Sequence, residues 1–452
     1  MEEQKKLLGS VAISPQVIEE TKKEVRDING LKKKVENYMP GSVTELLDAI
    51  LFGAITLDAS DIHLEPQEKD SRLRVRLDGI LQDVVFFDLE TYRHLLSRLK
   101  LLSHLKLNIT DKPQDGRFTI GVEDLLIEVR TSSLPAEYGE SIVMRILNPK
   151  SLIALDDLGL RGDLYKTFEK EIKKPNGMII VTGPTGSGKT TTLYAFLKKI
   201  QNPEIKIITI EDPIEYHLKG ISQTQVAPEK GYTFADGLRS IVRQDPDVIL
   251  VGEIRDLETA KIALQAALTG HLVLSTLHTN DAAGTIPRLV DLGVEPSSIA
   301  PALKMAVAQR LVRKVCKKCS VPAKPTNSEL AELKKGLKNL PKSVKVPNLD
   351  KARIMKPKEG GCQACNFTGY KGRQGLFEAF LVDSDMEKFI LTNPPVSSVR
   401  EKAVKKGMIT MYQSGLIAVS EGVTTFEEVA RVVEEEEDKE AIEAAEKGAI
   451  AK

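Results

Sequence analysis

A glycine-rich segment in the middle of the chain has the residue types and spacing of a phosphate-binding loop. It reads Gly183-Pro-Thr-Gly-Ser-Gly-Lys-Thr190 and fits the pattern G-x-x-x-x-G-K-[ST] at every position. An apolar run typical of a strand precedes it at 178–182, and a run compatible with a helix follows at 191–200. Glycines let such a loop turn tightly and direct its amide groups towards phosphate oxygens at a helix N-terminus. The flanking strand and helix favour this interpretation over a chance glycine-rich turn.

Two polar side chains of the loop have definite expected roles if the nucleotide is ATP. Lys189 can reach the β- and γ-phosphates, and the Thr190 hydroxyl can ligate Mg²⁺. The predicted nucleotide-binding residues are Gly183, Pro184, Thr185, Gly186, Ser187, Gly188, Lys189, Thr190 and Thr191.

Carboxylates follow two further apolar runs, at the points where hydrolysis chemistry would need them. Glu211 ends the run at 205–210, and Glu253 follows the run at 248–251. Nucleotide hydrolysis needs a group that positions water, together with acids on the metal side. In open α/β sheets ligands bind at the carboxyl ends of strands, so both glutamates are candidate catalytic residues. The alternative is that they cap helices or are solvated.

Two histidines flank a fourth apolar run at 272–276. His278 follows the run, so we expect it near the position of a γ-phosphate, where its ring could hydrogen-bond and report that group. His271 precedes the run, and a purely structural role is a real alternative for it. The same alternative is weaker for His278.

The four cysteines form two Cys-x-x-Cys pairs. Cys316 and Cys319 are separated from Cys362 and Cys365 by 42 residues, and four thiolates in two such pairs suit tetrahedral Zn²⁺. The long spacer does not forbid the site, because the cost of loop closure rises slowly with length. We expect a structural zinc site rather than a catalytic one, the alternative being four free buried thiols.

Composition limits the classes of partner. The chain has 452 residues, with 64 Lys and Arg balanced by 64 Asp and Glu, no Trp and 5% aromatic residues. A zero net charge and few aromatic rings argue against broad nucleic-acid binding, so no nucleic-acid partner is expected. The N-terminus is charged and no apolar run follows it, so no export signal is expected. The uncharged stretch at 262–280 contains polar residues and glycine, and we interpret it as a buried helix and strand rather than a transmembrane segment.

The pattern of strands and helices predicts an α/β protein with several segments. Strands and helices are mixed before Pro149, whereas later strands alternate with helices, which predicts a parallel sheet. The predicted segments are a charged N-terminal arm or marginal helix (1–41), an α+β domain (42–150), a P-loop ATPase core (151–315), a tetracysteine zinc-binding insert (316–365), a helical C-terminal region (366–433) and an acidic tail (434–452).

Four segments occur in an order that resembles a known family of motors. Gly183–Thr191, Thr209–Tyr216, Arg243–Asp256 and Gly270–Asp281 resemble the Walker A, Asp-box, Walker B and His-box motifs of secretion ATPases. The resemblance is to the type IV pilus assembly and type II secretion branch and covers roughly 43–433. Further resemblances to signatures of that branch are found at Ala59–Pro66, at Gln309–Arg313 and in the tetracysteine insert.

The resemblance implies a RecA-like core and a cytoplasmic homo-hexamer that hydrolyses ATP at the inner membrane and drives a membrane platform protein. It also implies that Glu253 is the catalytic glutamate, Glu211 the Asp-box acid and His278 the sensing histidine. In this family arginines of the N-terminal domain point towards the nucleotide. The positions that match them are Arg117 and Arg130. Arg239 and Arg243, just before the Walker B-type strand, are further candidates.

One departure from the family and two alternatives bear on function. Only 41 residues, many of them charged, precede Ser42, where many members carry a further domain that docks an adaptor or binds a cyclic dinucleotide. The sequence therefore does not predict docking through that domain or control by a cyclic dinucleotide. The cysteine insert favours assembly or export over retraction. The alternatives are a helicase-like ATPase that depends on nucleic acid, which the composition disfavours, and a binding module that does not hydrolyse ATP. The intact set Lys189, Thr190, Glu211 and Glu253 disfavours the second.

Overall fold

The computed structural model describes residues 10–123, 125–338, 340–349 and 352–433, which divide into two compact units. The first unit extends to Ser151 and also includes Cys316–Cys319 and Pro357–Gly372. The second begins at Leu152 and takes in the rest of the described chain. The predicted acidic tail at 434–452 lies outside the described residues, as do the first nine residues of the predicted arm.

The first unit is a seven-stranded sheet with helices. Its strands have the order β1-β5-β6-β7-β2-β3-β4, in which β1 runs parallel to β5 and the other pairs are antiparallel. Its elements are β1 (Ser10–Ala12), α1 (Pro15–Glu24), α2 (Ile28–Tyr38), α3 (Val43–Thr56), β2 (Asp61–Pro66), β3 (Ser71–Leu77), β4 (Ile80–Phe87), α4 (Leu89–Leu102), β5 (Gln114–Val122), β6 (Leu125–Ala136) and β7 (Gly139–Leu147).

Local sequence explains several of these elements. Helix α3 begins after Ser42, whose hydroxyl accepts a hydrogen bond from the Thr44 amide at 3.2 Å. Asp78 and Gly79 join β3 to β4 with φ angles of 49° and 87°, a left-handed turn that matches the twist of a hairpin. Along β3 apolar side chains are buried and alternate with half-buried arginines. One face of the sheet therefore contributes to the core, and the other carries charge.

Helices α1 and α2 lie in the segment predicted as a charged arm or marginal helix. Val17 and Leu31 are each 1% exposed and belong to the same core as α3 and the sheet. The charged residues of the two helices pair with one another, since the Lys34 ammonium lies 2.6 Å from Glu20 and 3.0 Å from Glu24. The residues that dominate the composition of this segment thus cover its apolar positions rather than preventing them from packing.

The second unit is a seven-stranded sheet in the order β10-β9-β11-β12-β8-β13-β16, followed by helices. Its elements are α5 (Gly162–Glu171), β8 (Gly177–Thr182), α6 (Lys189–Ile200), β9 (Ile207–Glu211), β10 (Ser222–Gln225), α7 (Phe234–Val242), β11 (Val248–Val251), α8 (Leu257–Leu268), β12 (Leu272–Leu277), α9 (Thr285–Asp291), α10 (Pro296–Ala302), β13 (Leu303–Val315), β14 (Val321–Ala323), α11 (Asn327–Gly336), β15 (Ile354–Lys356), β16 (Tyr370–Leu381, whose first residues belong to the first unit), α12 (Ser384–Ile390), α13 (Val396–Lys405), α14 (Met411–Ser420) and α15 (Phe426–Ala430).

The predicted α/β class is confirmed. Strands β10, β9, β11, β12, β8 and β13 pair in parallel, and all residues of β8, β9, β11 and β12 are buried. A sheet covered on both faces explains why these strands appear in the sequence as continuous apolar runs. The uncharged stretch at 262–280 forms the end of α8 and strand β12. In the described part of the chain no helix is both long and apolar enough to cross a membrane.

Candidate nucleotide site and tetracysteine cluster

The phosphate loop joins the end of β8 to the start of α6. Gly183 and Gly188 have φ angles of 144° and 88°, which side chains rarely adopt. A Cβ at Gly183 would lie 2.6 Å from the Gln309 carbonyl oxygen and 2.7 Å from the Ser187 hydroxyl, and one at Gly188 would lie 2.8 Å from the Gln309 amide nitrogen. These two positions therefore require glycine both for conformation and for space.

Two polar side chains of the loop fit an anionic ligand. The Lys189 ammonium donates to the carbonyl groups of Gly183 and Pro184 at 2.8 and 3.1 Å, and burial lowers the pKa of this lysine. Ser187 is 4% exposed, and its hydroxyl is buried without a hydrogen-bond partner. Because buried polar groups are normally paired, this hydroxyl is available to a ligand that the loop binds.

Glu253 lies beyond the end of β11 between the side chains of Arg255 and His278. Its carboxylate accepts hydrogen bonds from the Arg255 guanidinium and, at 3.1 Å, from the imidazole of His278. Burial alone would raise the pKa of Glu253, but Arg255 and His278 outweigh it and lower the pKa below its ordinary value. The lowered pKa keeps the Glu253 carboxylate ionised near neutral pH. The Glu253 side chain is 14% exposed and that of His278 is 52% exposed, so the pair is open to solvent on the side of His278.

Glu211, the last residue of β9, has different surroundings. It is 3% exposed, and its carboxylate accepts hydrogen bonds from the hydroxyls of Tyr194 and Thr209 and, at 3.2 Å, from the Gln223 amide. Burial and the negative charge of Glu211 raise the pKa of Tyr194, which therefore remains a donor. The structure places Glu211 inside the core, where its carboxylate is occupied by neutral donors.

Strand polarity brings most of the predicted residues to one edge of the sheet. Because β8, β9, β11 and β12 are parallel, the residues that follow them share that edge: the phosphate loop, Glu211, Glu253 and His278. The charge of Glu253 acts on the Lys189 ammonium and raises its pKa against the effect of burial. The Thr279 amide donates to the Thr182 hydroxyl at 2.8 Å and fixes the segment after β12 to the residue before the loop.

Other candidates lie elsewhere in the second unit. His271 precedes β12, at the opposite edge from His278, and its ring contacts the Ala266 carbonyl oxygen at 3.0 Å. Arg239, on α7, pairs with Asp236 and Glu258, and the Arg243 guanidinium donates to the Ser240 hydroxyl at 3.2 Å. Their partners are local groups on helices α7 and α8.

Arg117 and Arg130 belong to the first unit, where they face each other across β5 and β6. Arg145 on β7 lies opposite Arg130, so three arginines occupy one cross-strand row. Like charges directly opposite each other are destabilising, and carboxylates lie beside Arg130 and Arg145. Arg130 lies 3.4 Å from Glu128, and Arg145 lies 3.1 Å from Asp61.

The four cysteines come together as a group that could hold a metal ion. The sulfur atoms of Cys316, Cys319, Cys362 and Cys365 all lie within 4.8 Å of one another, with separations of 3.8 to 3.9 Å for three pairs. A tetrahedron with Zn–S bonds of about 2.3 Å has S···S edges of about 3.8 Å. The Cys365 sulfur also accepts hydrogen bonds from the amides of Cys362 and Gly369 at 3.1 and 3.3 Å.

Several side chains in these sites were not assigned roles from the sequence. Arg255 follows Glu253 by two residues, a spacing that could have suggested the pairing at the strand end. Gln309 and Arg310 line the phosphate loop from β13, and the Arg310 guanidinium donates to the Asn280 carbonyl oxygen at 2.7 Å. These contacts join segments about 30 to 120 residues apart, and a single sequence carries no signal for them.

Comparison with known proteins identifies relatives across most of the sequence. The family model described as Type II/IV secretion system protein matches residues 36–431. Type IV pilus assembly ATPase PilB of Thermus thermophilus is 42% identical over 89% of this chain, which spans 45% of that protein. Type II secretion system protein E of Dickeya dadantii is 45% identical over 87% of this chain, which spans 76% of that protein. The sequence therefore spans about half of one relative and three quarters of the other.

Solved structures share the fold. The pilus retraction motor PilT, determined with bound ADP, is 28% identical and superposes with a TM-score of 0.56, covering 85% of this chain and 96% of that one. The ATPase DotB of Legionella pneumophila is 22% identical with a TM-score of 0.61, covering 85% of this chain and 94% of the other. The second similarity supports the fold alone.

Proposed function

Because this chain belongs to the type II/IV secretion system protein family, we propose that it is a motor that hydrolyses ATP to drive type IV pilus assembly or type II protein secretion. Membership of this family of secretion ATPases implies ATP hydrolysis. What we propose beyond ATP hydrolysis is the process that it drives and the role of each residue. The relatives named for pilus assembly and type II secretion are similarly close, and both outputs are therefore retained.

One observation carries the proposal: a phosphate loop with a buried, unpartnered hydroxyl shares a sheet edge with an ionised carboxylate. The loop residues Gly183–Thr191 would hold the phosphates of ATP, with Lys189 at the β- and γ-phosphates. Thr190 would hold Mg²⁺, which supplies neutralising charge to the phosphates when bound. Glu253 would orient or deprotonate the attacking water, and its lowered pKa keeps it in the basic form.

Residues around Glu253 complete the chemistry. His278 contacts Glu253 directly and would sense the γ-phosphate from the end of β12. Glu211 would support the site from the interior, through the rigid end of β9. The local ion pairs of Arg239 would keep α7 in place next to α8.

Arg117 and Arg130 would supply positive charge to the γ-phosphate of ATP as it is hydrolysed. A row of arginines is favourable when an anion occupies it, and guanidinium groups clamp phosphate oxygens in pairs. Arg117→Ala and Arg130→Ala should each lower turnover well beyond any loss of ATP affinity. Mixing Arg117→Ala chains with Lys189→Ala chains tests the geometry, because restored activity places the arginine in a neighbour's site and no restoration places it in its own. Wild-type activity in the double variant would refute the assignment.

The tetracysteine cluster would hold Zn²⁺ in a structural role. Four thiolates close the coordination sphere and leave no position for water, so zinc contributes to folding rather than to hydrolysis. We expect about one zinc per chain by elemental analysis, and a lower melting temperature after its removal. Protein that lacks zinc and whose four native thiols all react with a thiol reagent would refute the assignment.

The partners follow from the family rather than from the geometry. The chain would act as a cytoplasmic homo-hexamer held at the inner membrane by a platform protein. Light scattering of the purified protein with and without ATP tests the hexamer. Co-purification with candidate platform proteins encoded nearby tests the second partner.

The central experiment is an ATPase assay of the purified full chain with Mg²⁺. Hydrolysis that disappears in Lys189→Ala is the expected result. Single-stranded DNA, added in a parallel arm, should leave the rate unchanged. A rate that rises severalfold with DNA would favour the helicase-like alternative, and absence of hydrolysis under all conditions would refute the motor.

A further inference from the structure

The loop that follows β12 carries His278, and hydrogen bonds and an ion pair attach it to other segments of the second unit. This loop comprises residues 278–284, and we call it the histidine loop. At its beginning, Thr279 is fixed to Thr182 by a hydrogen bond of 2.8 Å. Further along, two charged side chains from the C-terminal half of the chain bind it, and neither has a role in the proposed chemistry.

The first is Arg400 on α13. Its guanidinium forms an ion pair with one carboxylate oxygen of Asp281, and the other oxygen of Asp281 accepts the Gly284 amide at 2.6 Å. The side chains of Arg400 and Asp281 are only 9% and 17% exposed. A charged pair so well shielded from water is screened weakly by salt and fixes the positions of both partners.

The second is Glu378 on β16, which is 2% exposed. Its carboxylate accepts the Ala282 amide at 2.7 Å and the Met411 amide, at the start of α14, at 2.9 Å. These two hydrogen bonds place one buried side chain between the histidine loop and the start of α14. The histidine loop is thus tied to α13 by one carboxylate and to the start of α14 by another.

We propose that Arg400, through Asp281, is a positioning residue that holds the histidine loop where His278 contacts Glu253. Arg400 binds the loop three residues after His278, and Thr279 ties the intervening segment to the residue before the phosphate loop. Removing the pair should let His278 leave Glu253 while the phosphate loop stays intact. This inference rests on the proposed ATPase function, because it concerns the same site.

The test is the kinetics of Arg400→Gln. Because misplacing a group near the chemistry by about 1 Å can cost about 100-fold, kcat should fall roughly 10- to 100-fold. KM for ATP should stay within about threefold, because the phosphate loop is unchanged. Arg400→Lys should recover part of the rate. Lys402→Gln is the matched control: it lies on the same helix, pairs with Asp385 at 2.9 Å and should leave the kinetics unchanged.

A double-mutant cycle distinguishes positioning from general stabilisation. If Arg400 acts through His278, Arg400→Gln should add little to the loss already caused by His278→Ala. An equal further loss in the His278→Ala background would overturn the inference, as would wild-type kcat in Arg400→Gln. If that variant does not fold, the pair Arg400→Gln with Asp281→Asn removes both charges and is measured instead. Absence of hydrolysis by the unmodified chain would refute the proposed function, which is a separate outcome.

Discussion

The ends of β9 and β11 are neighbours in one sheet, and each carries a glutamate of a predicted motif, but their surroundings differ. Glu211 is inside the core and is bound by two hydroxyls and an amide. Glu253 is bound by Arg255 and His278, whose side chains are 62% and 52% exposed. A buried carboxylate with neutral donors is suited to fixing structure, whereas a carboxylate between two exposed side chains is suited to changing partners when a substrate arrives.

The largest expected effect is that of Glu253→Gln, which tests whether Glu253 rather than Glu211 is the catalytic base. The amide keeps the shape of the side chain but cannot act as a base, so kcat should fall by about 10²- to 10⁴-fold, the usual contribution of general acid–base catalysis. ATP binding, measured by titration with a fluorescent analogue, should persist because the phosphate loop is unchanged. Near wild-type turnover in this variant, together with lost turnover in Glu211→Gln, would show that the two roles are reversed.

Glu211→Gln should act mainly on stability. The new amide nitrogen would face donors that already point at the carboxylate, and an unsatisfied buried group costs about 1–3 kcal/mol. Urea unfolding should therefore shift to a lower midpoint, while the remaining folded protein still hydrolyses ATP. Unchanged stability with a large loss of kcat would instead place the Glu211 carboxylate in the chemistry.

Arg255→Gln should change the pH dependence of kcat, because it removes a positive charge next to Glu253. Burial raises the pKa of Glu253 and Arg255 is the main group that lowers it, so the variant's carboxylate should have a higher pKa. A carboxylate with a lowered pKa stays ionised as the pH falls below its ordinary value. Without Arg255, the Glu253 carboxylate becomes protonated at a higher pH. The acid limb of the kcat profile should therefore shift to higher pH by roughly one unit, the usual scale of such perturbations.

The control for this pH effect is Arg431→Gln, which removes an arginine from a different carboxylate, Glu428. Its acid limb should coincide with that of the wild type. An acid limb that is equally unmoved in Arg255→Gln would mean that Glu253 does not control it.

Sequence reasoning predicted the parallel sheet well because its strands are buried on both faces. The runs at 248–251 and 272–276 are continuously apolar, and both became strands at nearly the predicted positions. The first two helices were harder to recognise because Lys and Glu dominate their composition. Their apolar positions acquire meaning only through contact with α3 and the sheet, which a single sequence does not record.

The candidate site shows the same division between local and distant signals. Thr209 and Glu211 are two residues apart on a strand and must share a face, so their contact was predictable. Tyr194 comes from α6 and Gln223 from β10, and no spacing in the sequence joins them to Glu211. The edge of the sheet was therefore predictable, but the burial that distinguishes one glutamate from the other was not.

The smallest expected effect is that of Tyr194→Phe, which removes one of the three donors to Glu211 and leaves the ring in place. Because Glu211 retains Thr209 and Gln223, the loss should be about 1 kcal/mol, the net value of a typical hydrogen bond. The urea midpoint should fall at an unchanged slope, with kcat close to wild type. Tyr165→Phe is the control: Tyr165 donates to Asp156, whose side chain is 64% exposed and can bind water instead, so its loss should be smaller. If Tyr194→Phe lowered kcat tenfold at unchanged stability, Glu211 would belong with Glu253 in the chemistry, and the difference between the two strand ends would not be one of function.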